Sequence, residues 1–147
     1  GGDFKTKEEF LERYPGDDMV DMLSFDTYQW GDPSKEDGFT KNVDRLLSIV
    51  DSAAAETNKL TAIAETGHEA IPYATWWTDV LQKAIGNHTI TYVLLWRNHG
   101  YNEWSKKMHY YVPNKGQVSE KDFISNDLIF QIRYPPVRID IITSVSV

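Results

Sequence analysis

The residue with the clearest chemical potential in this sequence is Glu65, which follows a short apolar run and precedes Thr66 and Gly67. A carboxylate at the end of a strand projects into the crevice above a sheet, where it can act as a nucleophile or as a base. The alternative is a loop carboxylate that is solvated or paired with a cation. Glu65 is therefore a candidate catalytic group, and its surroundings decide between the two interpretations.

Two other groups of polar and aromatic residues also follow apolar runs. Asp26 and Tyr28 are spaced i, i+2, which places them on one face of an extended segment. A tyrosine hydroxyl directed at a carboxylate would keep that carboxylate ionised and oriented, whereas the alternative is a capping aspartate beside a tyrosine at the rim of the core. Trp96, Arg97 and Asn98 could offer a flat apolar face and hydrogen bonds to a sugar ring. Their alternative is a core tryptophan next to an arginine paired with an acid.

The elements that would position these residues alternate between strands and helices. Apolar runs of strand length lie at 19–25, 60–64 and 90–96, and helical stripes with apolar residues every three or four positions lie at 39–54 and 76–85. This βαβαβ order predicts a parallel sheet that is buried on both faces. Because sites in such sheets are built at the carboxyl ends of the strands, we expect the candidate residues to meet at one edge.

The remaining segments give weaker indications. The pattern Thr6-Lys7-Glu8-Glu9 predicts a short capped helix over residues 6–13, and Ser119 is expected to cap another one. Residues 98–118 are predicted to form a long loop. Trp76 and Trp77 are adjacent on a predicted helix and point about 100° apart, so one should pack inward while the other faces a cleft.

Composition excludes several classes of protein. With 147 residues the chain suits one domain and is shorter than the roughly 250 residues of a complete eight-stranded α/β barrel. A net charge of -7 disfavours nucleic acid and anionic membranes as partners, and no apolar stretch is long enough to span a bilayer. There is no Cys, and the four His lack metal-ligand spacing, so we expect no metal and no cofactor.

Six short segments, taken in order, carry a more specific indication. They are 14–18 (YPGDD), 20–21 (VD), 25–29 (FDTYQ), 64–67 (AETG), 76–78 (WWT) and 92–98 (YVLLWRN). The first three resemble the sixth-strand region of family-26 glycoside hydrolases, the β-mannanases. The fourth resembles their seventh strand, which bears the catalytic nucleophile, and the last two resemble the following helix and the eighth strand. The similarity extends from about residue 6 to residue 123.

The resemblance implies a retaining endo-1,4-β-mannanase on a (β/α)8 TIM-type barrel. Glu65 would be the nucleophile, Tyr28 would orient it, and Asp26 would support that arrangement. Trp96 would be the platform for the sugar at the cleaved bond, with Arg97 nearby. Further candidate substrate-binding residues at this edge are Trp76, Trp77 and Asn98. The implied partner is a mannan-type polysaccharide, and the family is usually exported, although Gly1-Gly2-Asp3 does not begin a signal peptide pattern.

The chain also departs from the family pattern. Residues 1–125 correspond only to strands six to eight of the barrel, and residues 126–147 form a divergent tail whose prolines and apolar residues predict extended, β-rich structure. The family's acid/base glutamate lies in a His-Glu pair on the fourth strand. His68-Glu69 has the same two residues but follows Glu65 in a loop, so it is not assigned that role.

Two functional hypotheses follow from these departures. In the first, the chain is the C-terminal part of a mannanase and hydrolyses mannan negligibly by itself. In the second, it is a non-catalytic carbohydrate-binding or scaffold domain that reuses part of a barrel. In either case the open sheet edges favour self-association.

Overall fold

The three apolar runs form neighbouring strands of one parallel sheet in the computed structural model, which describes residues 2–35 and 37–126. The strands are β1 (Met22–Asp26), β2 (Leu60–Thr66) and β3 (Val93–Leu95), in the order β1-β2-β3. This confirms the predicted parallel α/β arrangement, although β3 is shorter than its apolar run. The prediction that the sheet is buried on both faces is wrong for β1, in which only Leu23 and Phe25 are buried, and for β3, in which only Leu95 is buried. The described residues form three strands of a sheet and no closed barrel. The predicted extended tail lies beyond residue 126, outside the described residues.

The helix α2 (Gly38–Thr57) connects β1 to β2 and supplies most of the core on its side of the sheet. Its apolar stripe is buried as the three-to-four-residue spacing predicts, because that spacing places the stripe on one face of the helix. The fully buried members are Val43, Leu46, Leu47, Val50 and Ala53. The helix ends at Asn58, which adopts the left-handed conformation (φ 53°, ψ 47°) and donates its backbone N–H to the carbonyl of Ala54.

A π-helix (Trp76–Gln82) that continues as α3 (Lys83–Ile85) connects β2 to β3. The expectation that one of its two tryptophans faces a cleft is wrong, because both are buried: Trp76 exposes 0% of its surface and Trp77 3%. The π-helix packs against both α2 and α4 (Glu120–Ser125). The ring of Trp76 lies 6.0 Å from that of Phe39 on α2, and the ring of Trp77 lies 4.7 Å from that of Phe123 on α4. Covered in this way, neither indole is available to a ligand, which also corrects their assignment as substrate-binding residues.

The predicted loop over residues 98–118 contains a two-stranded antiparallel hairpin that the sequence pattern did not predict. Its strands are β4 (Gly100–Asn102) and β5 (Lys107–His109). The side chain of Asn102 accepts the backbone N–H groups of Trp104 and Ser105 at 2.9 and 3.0 Å, which closes the turn.

The short helices at either end of the described chain agree with the sequence in part. At the start of α1 (Lys7–Leu11), Thr6 accepts the backbone N–H of Glu9 at 3.2 Å, as a capping residue should. The carboxylate of Glu9 accepts the N–H of Lys5 at 2.6 Å, one residue before the usual partner of a capping box. The helix α4 is present, but Ser119 makes no capping hydrogen bond. No helix among the described residues has the length and apolar character to cross a membrane.

Candidate active site

The carboxyl ends of the three parallel strands lie side by side, and backbone hydrogen bonds continue past the ends of the strands. The N–H of Thr27 donates to the carbonyl of Glu65 at 3.0 Å, and that of Gln29 donates to Gly67 at 2.9 Å. On the other side of β2, the N–H of Trp96 donates to Thr66 at 3.2 Å. The backbone therefore brings the segments that bear Tyr28, Glu65 and Trp96 to one edge of the sheet, as expected from the βαβαβ order.

An irregularity in the pairing of β1 with β2 determines which residues face each other at this edge. Phe25 is opposite Ile63, but the next residue, Asp26, is opposite Glu65, so β2 carries one extra residue between them. Bulges of this kind redirect side chains and are common beside active sites. Here the bulge places the half-buried Asp26 directly across from Glu65. The supporting role suggested for Asp26 remains a prediction.

Tyr28 and Glu65 form a direct hydrogen bond across the two strands. The hydroxyl of Tyr28 donates to Oε2 of Glu65 at 2.9 Å, and both residues are half-buried. Burial, followed by the hydrogen bond to Glu65, raises the pKa of Tyr28 far above its ordinary value. The phenol consequently stays protonated and acts as a donor throughout the neutral range. Hydrogen bonds to charged groups stabilise by roughly 1.5–3 kcal/mol, so this contact holds the Glu65 carboxylate in one orientation.

Trp96 and Arg97 follow β3 directly and are exposed at the same edge. Trp96 exposes 40% of its surface, which leaves its ring available to an apolar face of a ligand. Arg97 is also exposed, so its guanidinium is accessible from solvent. Both positions agree with the sugar-binding roles that the resemblance implies, which remain predictions.

Asn98 uses most of its hydrogen-bonding capacity within the protein. Its Oδ1 accepts the backbone N–H groups of Tyr111 and Val112 at 2.9 and 3.0 Å, and its Nδ2 donates to the carbonyl of Val112 at 2.8 Å. Only one N–H of the side-chain amide remains for another partner. The main observable role of Asn98 is therefore to hold the segment that follows the hairpin, with sugar binding as a remaining prediction.

The His68-Glu69 pair does not form a second catalytic group in this arrangement. Burial lowers the pKa of His68, whose side chain lies near the ring of Trp76 at 6.2 Å. The carboxylate of Glu69 instead contacts the ring of His109 on the hairpin. Among residues 2–35 and 37–126, no three His, Asp or Glu side chains are grouped as they would be around a metal ion.

Sequence reasoning missed Tyr111, whose ring lies 5.6 Å from that of Tyr28 in an edge-on contact. The residue is half-buried, and burial raises its pKa. It follows the hairpin in a segment that the sequence gives no reason to place against β1. Only its aromatic character within the predicted loop over residues 98–118 could have singled it out.

A parallel α/β sheet with a hydrogen-bonded carboxylate at its carboxyl edge defines the general class of α/β proteins that includes the barrel enzymes. Residues 2–122 match the sequence model of glycosyl hydrolase family 26. The chain belongs to this family, which confirms the resemblance found in the sequence, and its relatives identify the fold as that of a (β/α)8 barrel family.

Solved structures of this family are similar to the chain over most of its length. A GH26 β-mannanase from Bacteroides ovatus is 41% identical with a TM-score of 0.74, over 87% of this chain and 35% of that one. GH26C from a Muricauda species is 27% identical with a TM-score of 0.68, over 84% and 33%. A modular endo-β-1,4-mannanase from Cellulomonas fimi is 26% identical with a TM-score of 0.62, over 84% and 27%. The chain thus spans about a third of the length of these structures.

Proposed function

We propose that this chain carries the nucleophile side of the active site of a retaining endo-1,4-β-mannanase. The observation that supports this most directly is the 2.9 Å hydrogen bond from Tyr28 to Oε2 of Glu65 at the carboxyl ends of adjacent parallel strands. A loop glutamate without a catalytic role would have no need of a half-buried phenol donor. The Bacteroides ovatus relative is a β-mannanase, which favours mannan among the β-linked polysaccharides.

In the proposed chemistry, Glu65 acts as the nucleophile. Tyr28 occupies Oε2, so Oε1 is the oxygen that attacks the anomeric carbon of the sugar. The glycosidic C–O bond breaks as a carboxylic acid protonates the leaving oxygen, and a glycosyl ester of Glu65 forms. The carboxylate left by that acid then takes a proton from water, which attacks the anomeric carbon of the ester from the face that the leaving group occupied. This step regenerates both carboxyl groups and releases a sugar of retained configuration.

The sugar ring at the cleaved bond would rest on Trp96, because an exposed indole offers a flat apolar face beside the strand that bears Glu65. The guanidinium of Arg97 would donate hydrogen bonds to sugar hydroxyl groups. The one free N–H of Asn98 could add a weaker contact. Trp76 and Trp77 take no part, since both are buried.

The 147-residue chain alone should hydrolyse mannan negligibly. Retaining hydrolysis needs a second carboxyl group about 5–5.5 Å from the nucleophile. The family resemblance places that acid on the fourth strand, whereas the residues matched here correspond to strands six to eight. Loss of a general acid typically costs about 10²–10⁴-fold in rate, and an open cleft costs more.

A chimera tests the proposed role of Glu65. Residues 2–122 replace the matching third of the Bacteroides ovatus β-mannanase, and reducing ends released from galactomannan are measured. We expect hydrolysis by the chimera and its loss in Glu65→Gln, with Asp3→Asn as an exposed carboxylate control. Hydrolysis that survives Glu65→Gln would overturn the assignment of the nucleophile. Release of reducing ends by the isolated chain, abolished by Glu65→Gln, would overturn the proposal that the chain alone is inactive.

The alternative function, carbohydrate binding without hydrolysis, predicts a different outcome. Calorimetric titration of the isolated chain with mannohexaose would show binding, while a folded chimera would release no reducing ends.

Light scattering of the isolated chain tests the proposed self-association, since β1 and β3 each pair on one side only among the described residues. Export from the cell belongs to the proposal as well, and immunodetection in cell fractions would test it.

A further inference from the structure

The segment that leaves the hairpin passes over the end of β2, next to the candidate nucleophile. The N–H of Ala70 donates to the carbonyl of Tyr110 at 2.9 Å, which ties this segment to the residues that follow Glu65. The next residue, Tyr111, then directs its ring at two places. One is the ring of Tyr28, 5.6 Å away, and the other is the backbone at Gly67.

Gly67 lies so close to Tyr111 that no larger residue fits there. A Cβ atom added to Gly67 would lie 2.4 Å from Cδ1 of Tyr111, far inside the contact distance of two carbon atoms. The φ angle of Gly67 is also +154°, a conformation that residues with a side chain rarely adopt. The glycine two positions after Glu65 thus provides the space in which the ring of Tyr111 sits.

The backbone of Tyr111 is fixed by Asn98, which lies three residues beyond the end of β3. Three hydrogen bonds of 2.8–3.0 Å join the Asn98 side chain to the backbone of Tyr111 and Val112. Tyr111 is therefore held by Asn98, three residues after β3, and its ring packs over Gly67, which follows β2 directly. The same ring contacts Tyr28, two residues after β1. It thus links the ends of all three parallel strands.

We propose that Tyr111 is a positioning residue, whose ring holds Tyr28 in the orientation that bonds Glu65, and that Asn98 and Gly67 serve to place that ring. A role of this arrangement in catalysis rests on the proposed function. The contacts of Tyr111 with Tyr28, Gly67 and Asn98 do not depend on it. A phenol can rotate about two bonds, and its hydrogen bond to a carboxylate is directional. An aromatic ring packed edge-on against it restricts that freedom and contributes to the burial of the phenol.

The test follows the Tyr28 phenol directly by NMR in the isolated chain, with its ring carbon assigned by loss of the signal in Tyr28→Phe. The charged or titratable groups that act on Tyr28 are Glu65, Tyr111 and Asp26. At pH 10.5, just above the ordinary tyrosine pKa of about 10, the wild-type Tyr28 signal should keep its phenol position. In Tyr111→Leu we expect it to shift towards the phenolate position.

Two further variants separate positioning from a general loss of structure. Tyr111→Phe retains the ring and should leave the Tyr28 signal unchanged. Tyr101→Leu removes an exposed ring from β4 of the same hairpin and should also leave it unchanged. An unchanged signal in Tyr111→Leu, or an equal shift in Tyr101→Leu, would refute the proposal.

A variant that keeps both tyrosines covers the case in which Tyr111→Leu does not fold. Asn98→Ala releases the backbone of Tyr111 from β3, so it should also shift the Tyr28 signal, and a signal that stays in place would count against the proposal. Because these measurements use no substrate, their result is independent of whether the chimera hydrolyses mannan. In an active chimera, Tyr111→Leu should lower kcat roughly 10–100-fold with little change in KM, and Tyr111→Phe should restore it.

Discussion

His88 forms a contact whose strength should depend on pH. It lies in the turn after α3 and bridges two carboxylates of α2: Nδ1 is 2.7 Å from Asp51 and Nε2 is 3.0 Å from Asp44. Burial by itself lowers the pKa of His88, but the hydrogen bonds to Asp51 and then Asp44 outweigh it, so the pKa is raised. A raised pKa in the folded state stabilises the fold fully below the unfolded value of about 6.5. The stabilisation is lost as the pH rises through the folded value.

The size of this effect follows from the exposure of the two carboxylates. The side chain of Asp51 is 29% exposed and that of Asp44 is 66% exposed. A hydrogen bond to a charged group contributes about 1.5–3 kcal/mol when buried, and an exposed ion pair contributes about 0.2–1 kcal/mol. Partial exposure favours the lower ends of these ranges, so we expect about 1.5 kcal/mol in total. For a chain of this length that corresponds to roughly 3–6 °C in Tm.

Urea unfolding of the wild type and of His88→Gln, at pH 5.8 and pH 8.5, measures this contribution. A pH of 5.8 is above the isoelectric point of about 5.0, and so avoids the low solubility of the protein near that point. His88→Gln should cost about 1.5 kcal/mol more at pH 5.8 than at pH 8.5, and Asp51→Asn should remove most of that difference. Asp44→Asn should remove less of it. A cost that is equal at the two pH values, or larger at pH 8.5, would refute the reasoning.

The backbone conformation of Asn58 and the hydrogen bonds of Asp122 give two further predictions. Because Asn58 has a positive φ, Asn58→Gly should stabilise the chain by a few tenths of a kcal/mol and Asn58→Ala should destabilise it by about 1 kcal/mol. Thermal unfolding of the two variants checks this prediction, and equal Tm values would contradict it. Asp122 accepts the N–H groups of Trp77 and Thr78 at 2.9 and 3.1 Å and the hydroxyl of Thr78 at 2.6 Å. Asp122→Asn should therefore speed hydrogen exchange at these two amides by about 10-fold or more, and unchanged exchange there would show that the carboxylate charge is unimportant.

The part of the fold that could be predicted from the sequence is the part governed by local periodicity. The stripe on α2 and the three apolar runs reflect burial on a helix face and within a parallel sheet, and each is visible in a short window. The candidate residues Tyr28 and Glu65 were expected at one edge for the same reason. Their 2.9 Å contact needed the register of β1 on β2, including the bulge before Asp26, which no local pattern encodes.

The features that were missed depend on contacts between distant segments. The turn of the hairpin contains no Asn-Gly or Asp-Gly signal; Lys106 takes the positive φ, of 56°. Trp76 and Trp77 were expected to divide between core and cleft. Trp77 is instead covered by α4, whose residue Asp122 lies 45 positions further along the chain. The role of Asn98 likewise depends on residues 13 and 14 positions further along the chain.

The position of Glu65 on β2 has a consequence for the time scales of motion around the site. β2 is the central strand, hydrogen-bonded on both sides, so its backbone should open only when the whole sheet unfolds. The hairpin of β4 and β5 has only three residues per strand, and such an element is marginally stable by itself and should open more readily. The backbone of Glu65 should therefore be displaced only on the time scale of global unfolding. The hairpin should move on the shorter time scale of local fluctuations.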